Sequence, residues 1–170
     1  MNNSNIFQDE DDIQLLLNNI SNNPKDLKLL FNSKVDGENE EKLINTYIGK
    51  NDLIFLVKTH KSKRFGGYAH ESFEKKNFKK TDFKAFLFNL DKKVIYKSKG
   101  GGNSIWRGSN TFNSINFGSG TDLKIFHKFL SEYNKTLQSI YDYDYKGEYY
   151  YSLNGEEDFN ISFLEIYQVL

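Results

Sequence analysis

The chain has 170 residues and zero formal net charge, with 38% hydrophobic and 16% aromatic residues. This composition suits one domain with a sizeable core, and the charge balance gives no overall attraction to nucleic acid or anionic lipid. The absence of cysteine excludes disulfides, thiolate zinc sites and thiol-based redox catalysis within this chain.

The N-terminal residues predict a tail followed by a helix. Residues 1–8 show no apolar periodicity and are expected to form a flexible tail. An acidic run then precedes four apolar residues at helical spacing, which gives a helix one apolar face. These residues are Ile13, Leu16, Leu17 and Ile20. We predict a helix over Asp11–Ile20, closed off by Pro24, that either covers the domain's own core or docks on a partner.

A second amphipathic helix is predicted over Asn39–Ile48, where Gly49 is placed as its C-terminal cap. After this glycine the pattern changes from helical to strand-like. Leu53–Thr59 and Phe65–Ala69 are rich in apolar residues and flank the polar turn Lys61–Lys63. The sequence therefore predicts a β-hairpin here.

Short apolar runs continue to the end of the chain and predict further strands. Phe83–Leu90 is almost continuously apolar, as expected of a strand that is buried on both faces. The other predicted strands are Val94–Lys97, Ser104–Arg107, Thr111–Phe117, Leu123–Phe126, Glu148–Leu153 and Ile161–Val169. Strands separated by polar turns at such short intervals are typical of a sandwich. We therefore predict an α+β, mainly β fold, a two-sheet antiparallel β-sandwich flanked by N-terminal helices.

Two glycine-containing segments could in principle bind a ligand, phosphate at Gly66-Gly67 or a cation or polyol at the FGSGTD segment. Gly66 and Gly67 lack a following helix and a Lys-Ser/Thr pair, so we favour a tight crossing where a large side chain packs on the backbone. The FGSGTD segment (residues 117–122) contains Gly118 and Gly120, which permit positive φ, and Asp122, which can accept a hydrogen bond from its own turn. We favour a rigid turn there, with a cation or polyol site as the alternative.

The remaining polar residues give no catalytic or metal-binding motif. Glu165 lies within the apolar final strand, where it could act as a general acid, face solvent or hydrogen-bond to the FGSGTD segment. No second carboxylate at a defined spacing accompanies it. His60, His70 and His127 are far apart in the sequence and form no metal-binding pattern. We therefore predict no catalytic residue, no metal site and no cofactor.

A basic hairpin is the candidate interaction surface. It contains Lys58, Lys61, Lys63 and Arg64. Zero net charge therefore conceals local patches, which are either ordinary solvated turns or a surface that steers a protein partner towards the domain.

Several segments of the chain carry a resemblance to a known family. They are Leu29-Leu30-Phe31-Asn32-Ser33 with Asp36-Gly37, Arg64–Tyr68, Ala85–Phe88, Phe117–Leu123 and Phe163–Tyr167. In this order and at this spacing they resemble the TLDc domain of oxidation-resistance and nuclear-receptor-coactivator-type proteins. The resemblance covers residues 9–170 and implies a single TLDc-like domain with two antiparallel sheets packed face to face. The family-motif positions, structural or binding, are Gly66, Gly67, Gly118, Gly120, Asp122 and Glu165.

The resemblance also implies a function, that of a non-enzymatic regulatory protein-interaction module. It implies a protein partner, the peripheral sector of the vacuolar proton-pumping ATPase, and a link to oxidative-stress resistance. The expected location is cytoplasmic, including endolysosomal or vacuolar membranes reached through that partner, because no apolar run is long enough to span a bilayer and no signal-peptide pattern is present. The alternative is a small-ligand-binding protein or enzyme with a site at the FGSGTD segment and Glu165.

Overall fold

The computed structural model describes residues 4–20, 26–74, 79–100, 104–108, 113–119, 122–136, 143–145 and 153–170. Within them the helices are α1 (Glu10–Leu17), α2 (Ser33–Asp36) and α3 (Glu40–Tyr47). The first six strands are β1 (Leu27–Asn32), β2 (Leu53–Thr59), β3 (Arg64–Ala69), β4 (Lys79–Lys80), β5 (Phe86–Asn89) and β6 (Val94–Lys97). The others are β7 (Ile105–Arg107), β8 (Ser114–Phe117), β9 (Leu123–Phe126), β10 (Asn134–Lys135), β11 (Asp158–Phe159) and β12 (Ile161–Val169).

The strands form two antiparallel sheets. The first sheet has the order β1-β12-β2-β3-β5-β6, and the second has the order β11-β10-β9-β8-β7-β4. The long C-terminal strand β12 lies between β1 and β2 and pairs with both, so it joins the edge strand β1 to the rest of the first sheet. The predicted mainly β, two-sheet antiparallel sandwich with few helices is confirmed.

The two sheets enclose a core, here called the inner cluster, that is rich in aromatic side chains. Phe55 of the first sheet and Phe117 of the second meet edge to face, with ring centroids 5.9 Å apart. Phe73 completes this contact at 5.4 Å from Phe55 and 6.0 Å from Phe117. Such edge-to-face pairs add to the stabilisation from burial alone, and they hold the sheets together at the centre of the sandwich.

A second apolar cluster, here called the outer cluster, covers the opposite face of the first sheet. Leu16 and Ile20, which follow the apolar face predicted for the first helix, pack there with Ile54 and Leu56 of β2. Helix α1 therefore covers the domain's own sheet, as the first of its two interpretations expected. No described helix is long and apolar enough to cross a membrane.

The helices begin close to where the sequence predicts. Asp9 caps α1, because its carboxylate accepts a hydrogen bond from the backbone N–H of Asp12 at 2.9 Å. The helix ends at Leu17, three residues before the predicted end, and Pro24 lies outside the described residues. Helix α3 is capped by Asn39, and Gly49 beyond its end has a φ of +68°, as a C-terminal glycine permits.

The strand predictions differ from the structure in the bounds of several runs and in four missed strands. The run predicted over Phe83–Leu90 forms a strand only over Phe86–Asn89. The reason is a turn at Asp82, whose buried carboxylate accepts hydrogen bonds from the backbone N–H groups of Lys84 and Ala85 and leaves Phe83 75% exposed. Strands β1, β4, β10 and β11 were not predicted. The predicted strand Glu148–Leu153 lies outside the described residues except for Leu153, which is in a turn.

Candidate functional site

Glu165 is fully buried on β12 and holds the start of the described chain in place. Its Oε1 accepts hydrogen bonds from the backbone N–H and the side-chain amide of Asn5, at 2.7 and 3.2 Å. Its Oε2 accepts from the hydroxyl groups of Ser4 at 2.7 Å and Tyr167 at 2.9 Å. The alternatives in which Glu165 faces solvent or bonds to the FGSGTD segment are wrong, because all these donors come from Ser4, Asn5 and its own strand. Both carboxylate oxygens are occupied by structural contacts.

Residues Ser4–Gln8, here called the N-terminal segment, pack against the first sheet. Ile6 is 1% exposed and belongs to the outer cluster. The Ser4 hydroxyl also accepts hydrogen bonds from the N–H groups of Ile6 and Phe7, at 3.1 and 3.0 Å. The prediction of a flexible tail over residues 1–8 is therefore corrected for Ser4–Gln8, because the outer face of the sheet gives Ile6 a site for burial. Residues 1–3 lie outside the described residues.

Arg64 is the centre of a buried ionic group, here called the Arg64 cluster. Its Nη1 donates to the carboxylate of Asp12 on α1, and its Nε donates to Asp91 at 2.8 Å. Lys93 contacts the other oxygen of Asp12 at 2.6 Å. Arg64 is only 4% exposed, so its place in the candidate interaction surface is wrong. The first residue of β3 directs its side chain under α1, where the charge is needed to balance Asp12.

We expect the Arg64 cluster to make the stability of the fold depend on pH in acid. Burial alone would raise the pKa of Asp12, but hydrogen bonds from the Gln8 N–H, Lys93 and Arg64 outweigh it and hold the pKa below its usual value. A carboxylate whose pKa is lowered by folding stabilises the fold above its unfolded pKa of about 3.9 and loses this contribution as the pH falls through its folded pKa.

Urea denaturation between about pH 7 and about pH 2 measures this effect. Below about pH 5, the free energy of unfolding should fall more steeply in the unmodified chain than in Asp12→Asn. Asp11→Asn, at the exposed neighbouring position, is the matched control and should keep the original slope. Identical slopes in all three proteins would show that Asp12 does not contribute.

The other residues of the predicted basic hairpin remain at the surface. Lys61 forms an ion pair with Glu156, which the turn before β11 brings alongside. The Lys58 ammonium lies 6.0 Å from the centroid of the Phe163 ring, and Lys63 is exposed. The local positive charge is therefore lower than the sequence suggests, because one lysine is neutralised and Arg64 is buried.

Gly66 and Gly67 lie where β3 is packed too closely for a side chain. A Cβ atom on Gly66 would overlap the carbonyl oxygen of Phe55 on the neighbouring strand, and a Cβ on Gly67 would lie 2.6 Å from the ring of Phe117 in the second sheet. The contacts favour the tight-crossing interpretation over phosphate binding, since both glycines are buried in β3.

Gly118 and Asp122 build the turn between β8 and β9. Gly118 has a φ of +78°, and a Cβ there would overlap the Asp122 carboxylate. Asp122 is fully buried and accepts a hydrogen bond from the Tyr145 hydroxyl at 3.0 Å. Burial, with the negative charge of Asp122, raises the pKa of Tyr145 well above its usual value. The arrangement favours the rigid-turn interpretation; Gly120 lies outside the described residues.

Asp122 and Glu165 do not come together in one site. They lie on different sheets, and their described hydrogen-bond partners are different residues. Each is fully buried, so a ligand would have to displace structural contacts to reach either carboxylate. The alternative of a ligand or catalytic site shared by the FGSGTD segment and Glu165 therefore gains no support from this geometry.

The described histidines bind different parts of the fold. His60 contacts the Ile161 carbonyl at 3.1 Å, and His70 contacts the Asp52 carboxylate at 2.7 Å. Within the described ranges, no group of three or more His, Asp or Glu side chains is placed to hold a metal ion. The histidines are thus separate structural contacts rather than a shared centre.

One series of polar side-chain contacts was not predicted from the sequence. The Tyr47 hydroxyl lies 2.7 Å from Nε2 of His127, whose Nδ1 lies 3.3 Å from Glu40. Glu40 also accepts a hydrogen bond from the side chain of Asn113 at 2.6 Å. Glu40 and Tyr47 are seven residues apart on α3 and so share one helix face, which is the signal that could have revealed them. Burial raises the pKa of Tyr47. Together these polar contacts fasten α3 to the second sheet.

Comparison with known proteins assigns the whole chain to a family. The model of the family described as TLDc domain matches residues 1–170, the whole chain. No curated protein matches the chain in sequence. The resemblance found in the motif segments is therefore confirmed at the level of the family.

Proposed function

This chain belongs to the TLDc domain family, and we propose that it is a non-enzymatic regulatory module that acts by binding another protein. The partner proposed is the peripheral sector of the vacuolar proton-pumping ATPase, whose assembly or activity the bound domain shifts. The domain works in the cytoplasm, including at endolysosomal or vacuolar membranes through that partner, and contributes to oxidative-stress resistance. The observation that carries the proposal is the family match over the whole chain.

The positions of the motif residues support a non-enzymatic role. Gly66, Gly67 and Gly118 occupy places where a side chain would collide with neighbouring atoms. Asp122 and Glu165 are fully buried and bound to groups of the fold. An enzyme needs polar groups that converge on an accessible pocket, whereas these residues stabilise the sandwich and leave its surface to make contacts.

The surface offers apolar side chains for a protein partner. Val35, Phe83 and Tyr133 are 83, 75 and 65% exposed. Aromatic and apolar side chains at the centre of an interface usually provide most of its binding energy. These residues are therefore available as contacts, and the charged residues around them can orient a partner.

The link to oxidative stress must then operate through the partner. The chain has no cysteine and a single methionine, so it has no thiol to oxidise and almost no sulfur to consume an oxidant. With this composition, the chain would contribute to oxidative-stress resistance by regulating a second protein.

Co-sedimentation of the purified chain with the purified peripheral sector tests the proposal. We expect the chain to sediment with the sector at low salt and less completely at moderate salt, because surface charges are screened beyond about 8–10 Å at 0.1–0.15 M. An unrelated folded domain of similar size is the control for trapping, and a thermal melt confirms that the chain is folded. A folded chain that stays in the supernatant at both salt concentrations would exclude this partner.

A further inference from the structure

A groove of about 640 Å³ opens beside β1, the edge strand of the first sheet. Residues Leu29–Asn32 of β1 line it, and its other walls are Ser4 and Asn5 of the N-terminal segment, the α2 residues Lys34–Asp36 and Lys42 of α3. The free edge of a strand exposes backbone groups that can pair with another chain. The groove therefore lies where an added strand would lie.

The hydrogen bonds around β1 show which backbone groups face the groove. The N–H of Leu170 donates to the carbonyl of Asp26 at 3.0 Å, so Asp26 faces β12. Antiparallel strands direct the backbone groups of alternate residues to the same side, so Lys28 also faces β12 whereas Leu27 and Leu29 face away. By this alternation the N–H and the carbonyl of Leu29 point away from β12, on the side of the groove that Leu29 lines.

Both ends of this edge are closed by carboxylates. Asp26 accepts a hydrogen bond from the N–H of Leu27 at 2.8 Å, and Asp36 accepts one from the N–H of Asn32 at 2.8 Å. Between these ends, Leu30 is the extra residue of a bulge in the pairing with β12. The open part of the edge is therefore centred on Leu29, which limits an added strand to a short pairing.

The walls of the groove are basic and partly apolar. Lys34 is exposed, and no described carboxylate forms an ion pair with it. Val35 beside it is 83% exposed. The one acidic group of the wall, Asp36, is paired with Lys42 and already bound to the backbone of β1. The groove thus combines an unpaired positive charge with an apolar contact and an open backbone edge.

We propose that the edge of β1 binds an extended acidic and apolar segment of a protein partner, which adds to the first sheet as a further strand. The backbone of the segment pairs with Leu29, an apolar side chain covers Val35, and a carboxylate pairs with Lys34. Strand addition of this kind takes its affinity from main-chain hydrogen bonds and its specificity from side-chain contacts. The inference rests on the proposed function, because it requires a protein partner and specifies the chemistry of that partner.

An acidic segment fits this edge better than a second copy of the chain. Pairing of β1 with β1 would bring Lys34 of each copy to the same interface, together with the exposed Lys28. Like charges across an interface oppose association. An acidic segment instead satisfies the lysines and the open backbone groups together.

Selection from a phage-displayed library of random linear peptides on the folded full-length chain tests the inference. Enriched peptides should alternate acidic and apolar residues, and a synthetic copy should shift the amide resonance of Leu29. Lys34→Glu should weaken its binding by about tenfold or more, because it places like charges opposite each other. Val35→Asp should weaken it similarly. Lys92→Glu, at an exposed position in the turn between β5 and β6 at the other end of the first sheet, is the matched control and should change the affinity by less than about twofold.

Failure to enrich acidic peptides, or equal weakening by Lys34→Glu and Lys92→Glu, would overturn the inference. Titration of the same variants with the purified peripheral sector separates this failure from failure of the proposed function. If Lys34→Glu binds the sector as tightly as the unmodified chain, the sector remains the partner and the β1 edge is not its docking site. If the unmodified chain does not bind the sector while the peptide results are as expected, the edge is a docking site for a different protein.

Discussion

Replacing Arg64 with methionine is expected to lower the free energy of unfolding by about 3–5 kcal/mol, because removing one partner of a buried ion pair leaves the other charge with too little compensation. Asp12 is fully buried and, among the described residues, would retain Lys93 alone as a cationic partner. Methionine fills much of the space of the arginine stem, so the loss reports mainly on the charge. Urea denaturation at neutral pH measures it.

The control and a second variant make this result specific. Lys63→Met alters the exposed residue next to Arg64 and should change the stability by no more than about 0.5 kcal/mol. Arg64→Met combined with Asp12→Leu should recover part of the loss, because replacing a buried ion pair by apolar residues is often neutral. If Arg64→Met is no less stable than Lys63→Met, the Arg64 cluster is not what holds α1 on the sheet.

Replacing Gly66 with alanine is expected to lower the free energy of unfolding by about 3 kcal/mol or more, at the upper end of the range for overpacking. The obstacle is the carbonyl oxygen of Phe55, which belongs to the backbone of the adjacent strand and cannot move without parting the sheet. Alanine at Gly67 should cost less, about 1–3 kcal/mol, because the obstacle there is the ring of Phe117, a side chain that can shift. Urea denaturation of both variants measures the difference.

Second substitutions identify the obstacle in each case. Phe117→Leu shortens the side chain that opposes Gly67, so the combined variant should lose less stability than the two single losses together. Phe88→Leu removes a ring that would lie 2.6 Å from a Cβ on Gly66 but leaves the closer obstacle, the Phe55 carbonyl, in place, so most of the stability loss at Gly66 should remain. This account of the tight crossing would be contradicted if Phe88→Leu restored the stability lost in Gly66→Ala while Phe117→Leu restored none of the stability lost in Gly67→Ala.

The strands that the sequence predicts well are those whose pattern is determined locally. Leu53–Thr59, Val94–Lys97, Leu123–Phe126 and Ile161–Val169 have the same bounds in the structure as in the prediction. Each is a run of apolar and β-branched residues between polar turns, which is sufficient to favour a strand. Strand β1 differs from these strands, because a bulge at Leu30 interrupts the alternation of its side chains between the two faces of the sheet.

The contacts that could not be predicted join residues far apart in the sequence. Glu165 meets Ser4 and Asn5 across about 160 positions, and no local pattern records such a contact. Arg64 follows lysines in the sequence, but its surroundings are decided by Asp12 on a helix that packs over it. Residues of this kind look like surface or catalytic groups until the fold shows what they touch.

The motif positions therefore explain how the sandwich is built more than what it binds. Gly66 and Gly67 allow strands and sheets to approach, and Glu165 fastens the N-terminal segment. The proposed binding is then a property of exposed surfaces such as the β1 edge with Lys34 and Val35. This division agrees with the proposal that the domain regulates a partner rather than transforming a substrate.

Titration of the purified, folded chain into the purified peripheral sector of the vacuolar proton-pumping ATPase tests the central claim most directly. The account predicts saturable binding, detected by calorimetry, that weakens as the salt concentration rises because surface charges are screened. The absence of saturable binding by a chain whose thermal melt shows it to be folded would contradict the account.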